Sequence, residues 1–240
     1  MKIPEPKVIL WDIETTNLNA NFGFVVCFGW KELGEEKAHV ISITDFPSFG
    51  KDCTNDKEVV NRAAAVLSCA DIWVTWYGQR FDEPFVNSRL LSHGLKRMPP
   101  IPHVDGWRIA REKLKLHSNR LASVCSFLGL EDKTPIKSQA WIRAMAGHRP
   151  SIKYVVDHCR QDVQVLEQAY LKIRPLSTTH PNLALITERP NSCPICGEWG
   201  KITAQGWKIT RSNKARRYQC QKCGGWSLGP PVKVEGISIR

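Results

Sequence analysis

Apolar positions recur at two different periods along this 240-residue chain, and the change from one to the other lays out its elements. Val8-Ile9-Leu10-Trp11-Asp12 is a short apolar run that ends in an acid, and Phe24-Val25-Val26-Cys27-Phe28-Gly29-Trp30 follows after an Asn- and Gly-bearing turn. These read as adjacent strands, with His39 to Thr44 as a third that completes a meander. From Glu58 the spacing of Val59, Val60, Ala63, Val66 and Leu67 becomes helical. Ile72-Trp73-Val74-Thr75-Trp76-Tyr77 reads as a buried strand. After Gly78, the positions Phe81, Phe85, Val86, Leu90 and Leu91 share a helical face that Gly94 would stop.

The Pro-rich stretch from Met98 to Pro102 should be extended, and short helices are expected within Asp105 to Leu130 and Ala140 to Ala146. From Ser151, the positions Ile152, Val155, Val156, Cys159, Val163, Leu166, Ala169, Tyr170 and Ile173 hold a helical period for about six turns. Ser151 is the expected cap, and Pro175 lies just past the end. Pro181 and Pro190 punctuate a connector, after which the chain turns rich in Gly, Trp and Lys/Arg. The expected organisation is an α/β domain over residues 1–186, a mixed sheet flanked by helices, and a small β domain over 187–240.

Composition narrows the setting. With 42% hydrophobic and 24% charged residues the chain can bury a core. No apolar run approaches the roughly 18 residues of a membrane span. Met1 to Lys7 carries two prolines where a secretory signal would be apolar, so a cytoplasmic protein is expected. The formal charge is +11, and nine Lys or Arg against two Glu place +7 of it in residues 193–240.

The chemistry begins with Asp12 and Glu14. Two residues apart at a strand end, they project to one face and can grip a single site. Alone, such a pair is as readily a strand end with a capped turn, but it has company. Asp82 follows a strand and a glycine at a strand-to-helix junction, where ligand sites of α/β proteins gather. Asp162 lies in the middle of the long helix with His158 four positions before it, about 40° around the axis and on the same face. Asp157 falls about 140° away and reads as surface. Several carboxylates on one site invite magnesium or manganese, which prefer oxygen ligands. Two such ions can activate a water and stabilise a departing oxygen. An imidazole beside them, with an ordinary pKa close to neutral, is suited to taking the proton of that water.

Cys193-Pro-Ile-Cys196 and Cys220-Gln-Lys-Cys223, each followed by Gly, have the spacing of two knuckles around one structural zinc. A tail of this length needs such a staple to fold. Lys201, Trp207, Lys208, Arg211, Lys214, Arg216 and Arg217, interleaved with Trp199, Tyr218 and Trp226, are what a surface that neutralises phosphates and stacks bases contains. The bland alternative is a solvated basic hairpin. Arg108, Arg111, Lys113, Lys115 and Arg120 of the first domain could line a substrate path or form a solvated helix face.

Taken in order, Asp12-Ile13-Glu14, Phe81-Asp82 after Tyr77-Gly78, and His158-x-x-x-Asp162 resemble the three motifs of the DEDD (DnaQ-like) 3′-5′ exonuclease superfamily, over roughly residues 7 to 175. Ser118-Asn119-Arg120-Leu121, Leu128-Gly129-Leu130, Leu171-x-x-Arg174-Pro175 and His180-Pro181-Asn182 resemble a prokaryotic and phage subgroup with a C-terminal zinc ribbon. The resemblance implies a ribonuclease H-like fold and release of 5′-mononucleotides from single-stranded or frayed nucleic acid, DNA before RNA. It further implies that Asp12, Glu14 and Asp162 hold the catalytic metal and that Asp82 helps to place a second ion. The chain departs from the family pattern twice: a histidine stands at the spacing where one branch has tyrosine, and Tyr77 stands where Asn is common. Two competing expectations follow, a nucleic-acid-binding adaptor with a weak site and a structure-specific endonuclease.

Overall fold

The computed structural model describes residues 5–130, 138–211 and 213–232; residues 1–4 of the N-terminal segment considered above lie outside these. Lys7–Lys172 form one compact unit, and the chain from Ile173 onward belongs with the first residues to another. The division falls earlier than composition suggests. A short helix in the connector folds onto the ribbon, where the Leu183 amide donates to the Pro194 carbonyl at 2.8 Å.

The larger unit is a five-stranded mixed sheet among the described residues: β1 (Val8–Thr15), β2 (Val25–Glu32), β3 (His39–Ser42), β4 (Ile72–Thr75) and β5 (His103–Asp105), in the order β3-β2-β1-β4-β5. β1, β2 and β3 pair antiparallel as the expected meander, while β4 and β5 add in parallel beyond β1. The expected strand to Tyr77 ends two residues sooner, because Tyr77 adopts a left-handed backbone (φ 71°) that no strand accommodates. β5 has only three residues and no period of its own to read.

Alternation along β1 splits its side chains between two faces. Ile9, Trp11 and Ile13 join a core cluster with Val59, Val60, Ala63 and Leu67 of α1 (Lys57–Leu67) and Phe85, Val86 and Leu90 of α2 (Asp82–Ser92). Trp11 is fully buried against Trp73 and Phe28, and burial of a side chain of this size contributes about 1.5–3 kcal/mol or more. Leu91, expected on the buried face of α2, is 64% exposed, because the apolar stripe is narrower than the sequence suggests.

The other face of β1 meets α6 (Arg149–Ile173), the long expected helix. It starts two residues before Ser151. Pro150 stands in its first turn, a favoured place for proline, and Ser151 instead bonds back to His148 at 2.9 Å. Close approach of α6 requires Gly29, which pairs with Asp12 across β1 and β2: a Cβ there would lie 2.7 Å from Cys159 Sγ and 3.1 Å from Val163. Farther along, Glu167 of α6 pairs with Lys31 of β2 and accepts from the Gly34 amide at 2.8 Å. Between α2 and α6 run α3 (Gly106–Lys113), α4 (Leu121–Leu128) and α5 (Ser138–Met145), the expected short helices.

Asp56, fully buried at the start of α1, ties the unit's elements together. Its carboxylate accepts from Arg89 Nε and Nη2 at 2.9 and 2.8 Å, from the Val25 amide at 2.8 Å, and lies 2.6 Å from His93 Nε2. Removing the carboxylate strands a guanidinium, so Asp56→Ala should lower unfolding free energy by about 3–5 kcal/mol. Urea unfolding followed by tryptophan fluorescence measures it, and a loss within error of zero would show the network to be dispensable.

Candidate metal and nucleic-acid sites

The C-terminal half of β1 opens on a cleft of about 730 Å³ within the larger unit. Asp12 and Glu14, both half-buried, line it together with His158 and Asp162 of α6. His158 and Asp162 are 7% and 4% exposed, and His158 Nε2 stands 3.4 Å from Asp162 Oδ2, as expected of one helical face. Ligand atoms of Glu14, His158 and Asp162 lie within 4.8 Å of one another, close enough for a single cation, whereas Asp12 lines the cleft outside this group. The two carboxylates suit a hard divalent ion such as magnesium or manganese, and the imidazole beside them is near enough to meet a water held by that ion. Asp157 is at the surface, where ion pairs with Lys153 and Arg160 hold its carboxyl below the usual range.

Asp82 is placed differently from the other acids. It is 3% exposed, heads α2, and accepts from the Ile13 amide at 3.2 Å, between Asp12 and Glu14 on the β1 backbone. Beneath the site lie two buried thiols, Cys27 and Cys159. Burial pushes Cys27 up, and its hydrogen bond with Cys27, then burial, raise Cys159. Both therefore stay neutral and add no charge beneath the carboxylates.

The wall across the cleft is aromatic, a feature the sequence alone does not reveal. Trp76, Tyr77 and Trp107 line it with Arg120, Leu121 and Ala122. Tyr77 meets Trp107 edge-on at 5.0 Å, Arg111 lies 5.3 Å over the Trp107 ring, and Trp76 Nε1 donates to the Asn119 carbonyl at 2.9 Å. Asp105 organises this wall: one carboxylate oxygen accepts from the amides of Tyr77 (2.8 Å) and Trp107 (3.0 Å), the other from that of Gln79 (3.3 Å). It thereby caps α3 and supports the left-handed Tyr77 turn together. Of the basic residues considered for a substrate path, Arg120 lines the cleft, whereas Arg108 engages Gln79 and Glu112.

The smaller unit contains a three-stranded antiparallel sheet, β6 (Ile202–Ile209), β7 (Lys214–Cys220) and β8 (Trp226–Val232), beside the four cysteines. Their sulfur atoms lie within 4.8 Å of one another, with Cys193 Sγ and Cys223 Sγ 3.7 Å apart and Cys196 Sγ and Cys220 Sγ 3.8 Å apart. A tetrahedron with Zn–S bonds of about 2.3 Å has edges of about 3.8 Å, so the thiols fit a zinc ion. The amides of Ile195 and Gly225 point at Cys193 and Cys223 sulfur at 3.4 Å, the donors that thiolate ligands attract. The hydrogen bond from Cys196 holds Cys193 down to about 5, and the same bond raises Cys196. Lys208, Lys214, Arg216, Arg217 and Trp207 lie on the sheet, Lys201 just precedes it and Arg211 is in the β6–β7 turn.

A central antiparallel meander extended by parallel strands, with an acidic cleft at the end of its first strand, defines an α/β fold of ribonuclease H type. A family model described as the RNase H superfamily matches residues 9–173, and the chain belongs to that family. Nuclease activity in general, with divalent metals, goes with this membership. The chain is 28% identical over 136 residues to the PolC-type DNA polymerase III of Ureaplasma parvum serovar 3, a match covering 49% of this chain and 9% of that protein. It shares its fold with the family B DNA polymerase of the archaeon Pyrobaculum calidifontis, with a TM-score of 0.57, 15% identity, and coverage of 87% of this chain and 32% of that one. The chain thus spans a tenth to a third of the length of these relatives.

Protein purified without added metal should carry one zinc per chain by elemental analysis, and Cys193→Ser with Cys220→Ser should abolish it. Trypsin should then cleave the tail while leaving the larger unit intact. Zinc retained by the double variant would remove the four thiols as its ligands.

Proposed function

We propose that this protein is a 3′-5′ exonuclease that hydrolyses single-stranded or frayed DNA to 5′-mononucleotides. The observation that carries the reading is the cleft itself: Asp12, Glu14, His158 and Asp162 line it, the last three with ligand atoms within 4.8 Å of one another, together with three aromatic rings and Arg120. On this reading Asp12, Glu14 and Asp162 hold two divalent ions, magnesium or manganese, and Asp82 fixes the β1 backbone that presents the first two. Bound there, the ions would activate a water and neutralise the departing oxygen.

The water oxygen bonds to phosphorus as the phosphorus–O3′ bond to the preceding nucleotide breaks. His158 takes the water's proton, and the released 3′-oxygen gains one from solvent, leaving a nucleoside 5′-phosphate. Stacking on Trp107 and Tyr77 favours a base that has left its duplex, because a paired base has no free face to offer. The general resemblance to two DNA polymerases supports DNA as the polymer. The basic sheet of the smaller unit would hold the same kind of strand.

The test uses 5′-labelled single-stranded DNA and RNA with magnesium or manganese, beside Asp12→Ala. The wild type should give a ladder that shortens from the 3′ end, and the variant none. His158→Ala should lower the single-turnover rate on the order of 10²-fold or more, with oligonucleotide binding retained. Cleavage of a closed circular single strand would establish an endonuclease instead. Equal binding by wild type and Asp12→Ala with no degradation by either would establish an adaptor.

A further inference from the structure

The basic residues of the ribbon do not form one surface. In β6 the pairing passes from Ala204 opposite Tyr218 to Trp207 opposite Arg216, three residues against two, so one extra residue is accommodated at Gln205-Gly206, where Gly206 takes φ 76°. In β8 the pairing passes from Leu228 opposite Arg217 to Pro231 opposite Ala215, again three against two. Each bulge transfers the side chains beyond it to the opposite face. Trp207 consequently shares a face with Lys214 and Arg216, and both cations cover its ring, at 4.2 and 5.1 Å from the centroid.

The opposite face carries Lys208, Arg217, Trp226 and Leu228. These line a cavity of about 540 Å³ whose other walls are Ser177, Thr178, His180, Pro194, Ile195 and Ser227. Among the described residues its lining includes two cations, an imidazole, the hydroxyls of Ser177 and Thr178 and an indole that is 49% exposed, and no carboxylate. Arg217 lies 5.6 Å over the Trp226 ring, and the size falls within the range of clefts that hold one small ligand. A cation-rimmed cavity with an open indole suits a flat aromatic group joined to a phosphate.

We propose that this cavity is a binding site for one nucleotide of a single-stranded nucleic acid, with the base stacked on Trp226 and its phosphate held by Arg217 and Lys208. The Trp207 face is then secondary: two of the chain's own cations lie over its ring at 4.2 and 5.1 Å, whereas Trp226 has one at 5.6 Å and is the more exposed of the two. This refines the proposed function by choosing one face of the ribbon, and binding can be measured independently of hydrolysis.

The experiment uses the full chain carrying Asp12→Ala, so that substrate survives, and a fluorescein-labelled single-stranded oligo-deoxythymidine followed by anisotropy. On that background, Trp226→Ala and Arg217→Ala should each weaken binding by about tenfold, the weight of one base–aromatic stack, and Trp226→Phe should restore most of it. Lys214→Ala and Trp207→Ala should change it by less than about threefold. One zinc per chain in every variant shows that the ribbon has folded. Unchanged affinity in zinc-loaded Trp226→Ala, or a larger loss in Trp207→Ala, would overturn the assignment. Displacement of the oligonucleotide by polyglutamate as effectively as by unlabelled oligonucleotide would overturn it in favour of an acidic peptide. If wild type digests DNA while Trp226→Ala binds normally, this site fails alone; if no digestion occurs yet Trp226 governs binding, the exonuclease reading fails alone.

Discussion

Strand β1 pairs with β2 along nearly its whole length but with β4 only over Val8–Leu10, so the Ile13 amide needs an acceptor that the sheet does not supply. It finds Asp82, at the first residue of α2. A buried amide left unpaired would cost about 1–3 kcal/mol, and this bond both avoids that loss and opens the sheet. The overhang of β1 beyond β4 leaves room for the cleft, and it projects Asp12 and Glu14 into that room from alternate positions on one face. Tyr77 turns the chain away at the end of β4 for the same reason. A strand continuing there would pair with β1 and close the gap.

Charge then separates the acids of the structural framework from those of the cleft. Asp56 and Glu167 are given cations by the chain itself, through Arg89 and Lys31. At the cleft, carboxylates from β1 and α6 share one partly desolvated site with His158, and crowding of like charges there is what a divalent ion relieves.

How far the sequence discloses this depends on the range over which each feature is encoded. Asp12-x-Glu14 on a strand and His158 four before Asp162 on a helix are local geometry, so their shared faces are legible from spacing. So are the two Cys-x-x-Cys knuckles. Asp105 is different. Its acceptors are aimed at Tyr77 and Gln79, far off in the chain, and nothing near Asp105 announces that it supports an aromatic wall. The short β5 and the exposure of Leu91 escape for a like reason, since tertiary packing decides them. In the ribbon the interleaved basic and aromatic residues are legible as a composition, but two single-residue bulges divide them between opposite faces, and only the register reveals it.

The histidine at a tyrosine's spacing is best understood through α6, because that helix sets the position of both His158 and Asp162. The helix is pinned on either side of Asp162: Cys159 and Val163 press against Gly29, and Glu167 is tied to Lys31 and Gly34. Sliding by one residue would rotate the helix by about 100° and break both attachments. The imidazole is therefore held where the backbone holds it, 3.4 Å from the Asp162 carboxylate. It cannot trade a poorer reach for a shift of the helix. Since a misplacement of about 1 Å can cost on the order of 10²-fold in rate, the attachment of α6 to β2 would, under the proposed function, belong to the catalytic apparatus as much as the residues it carries.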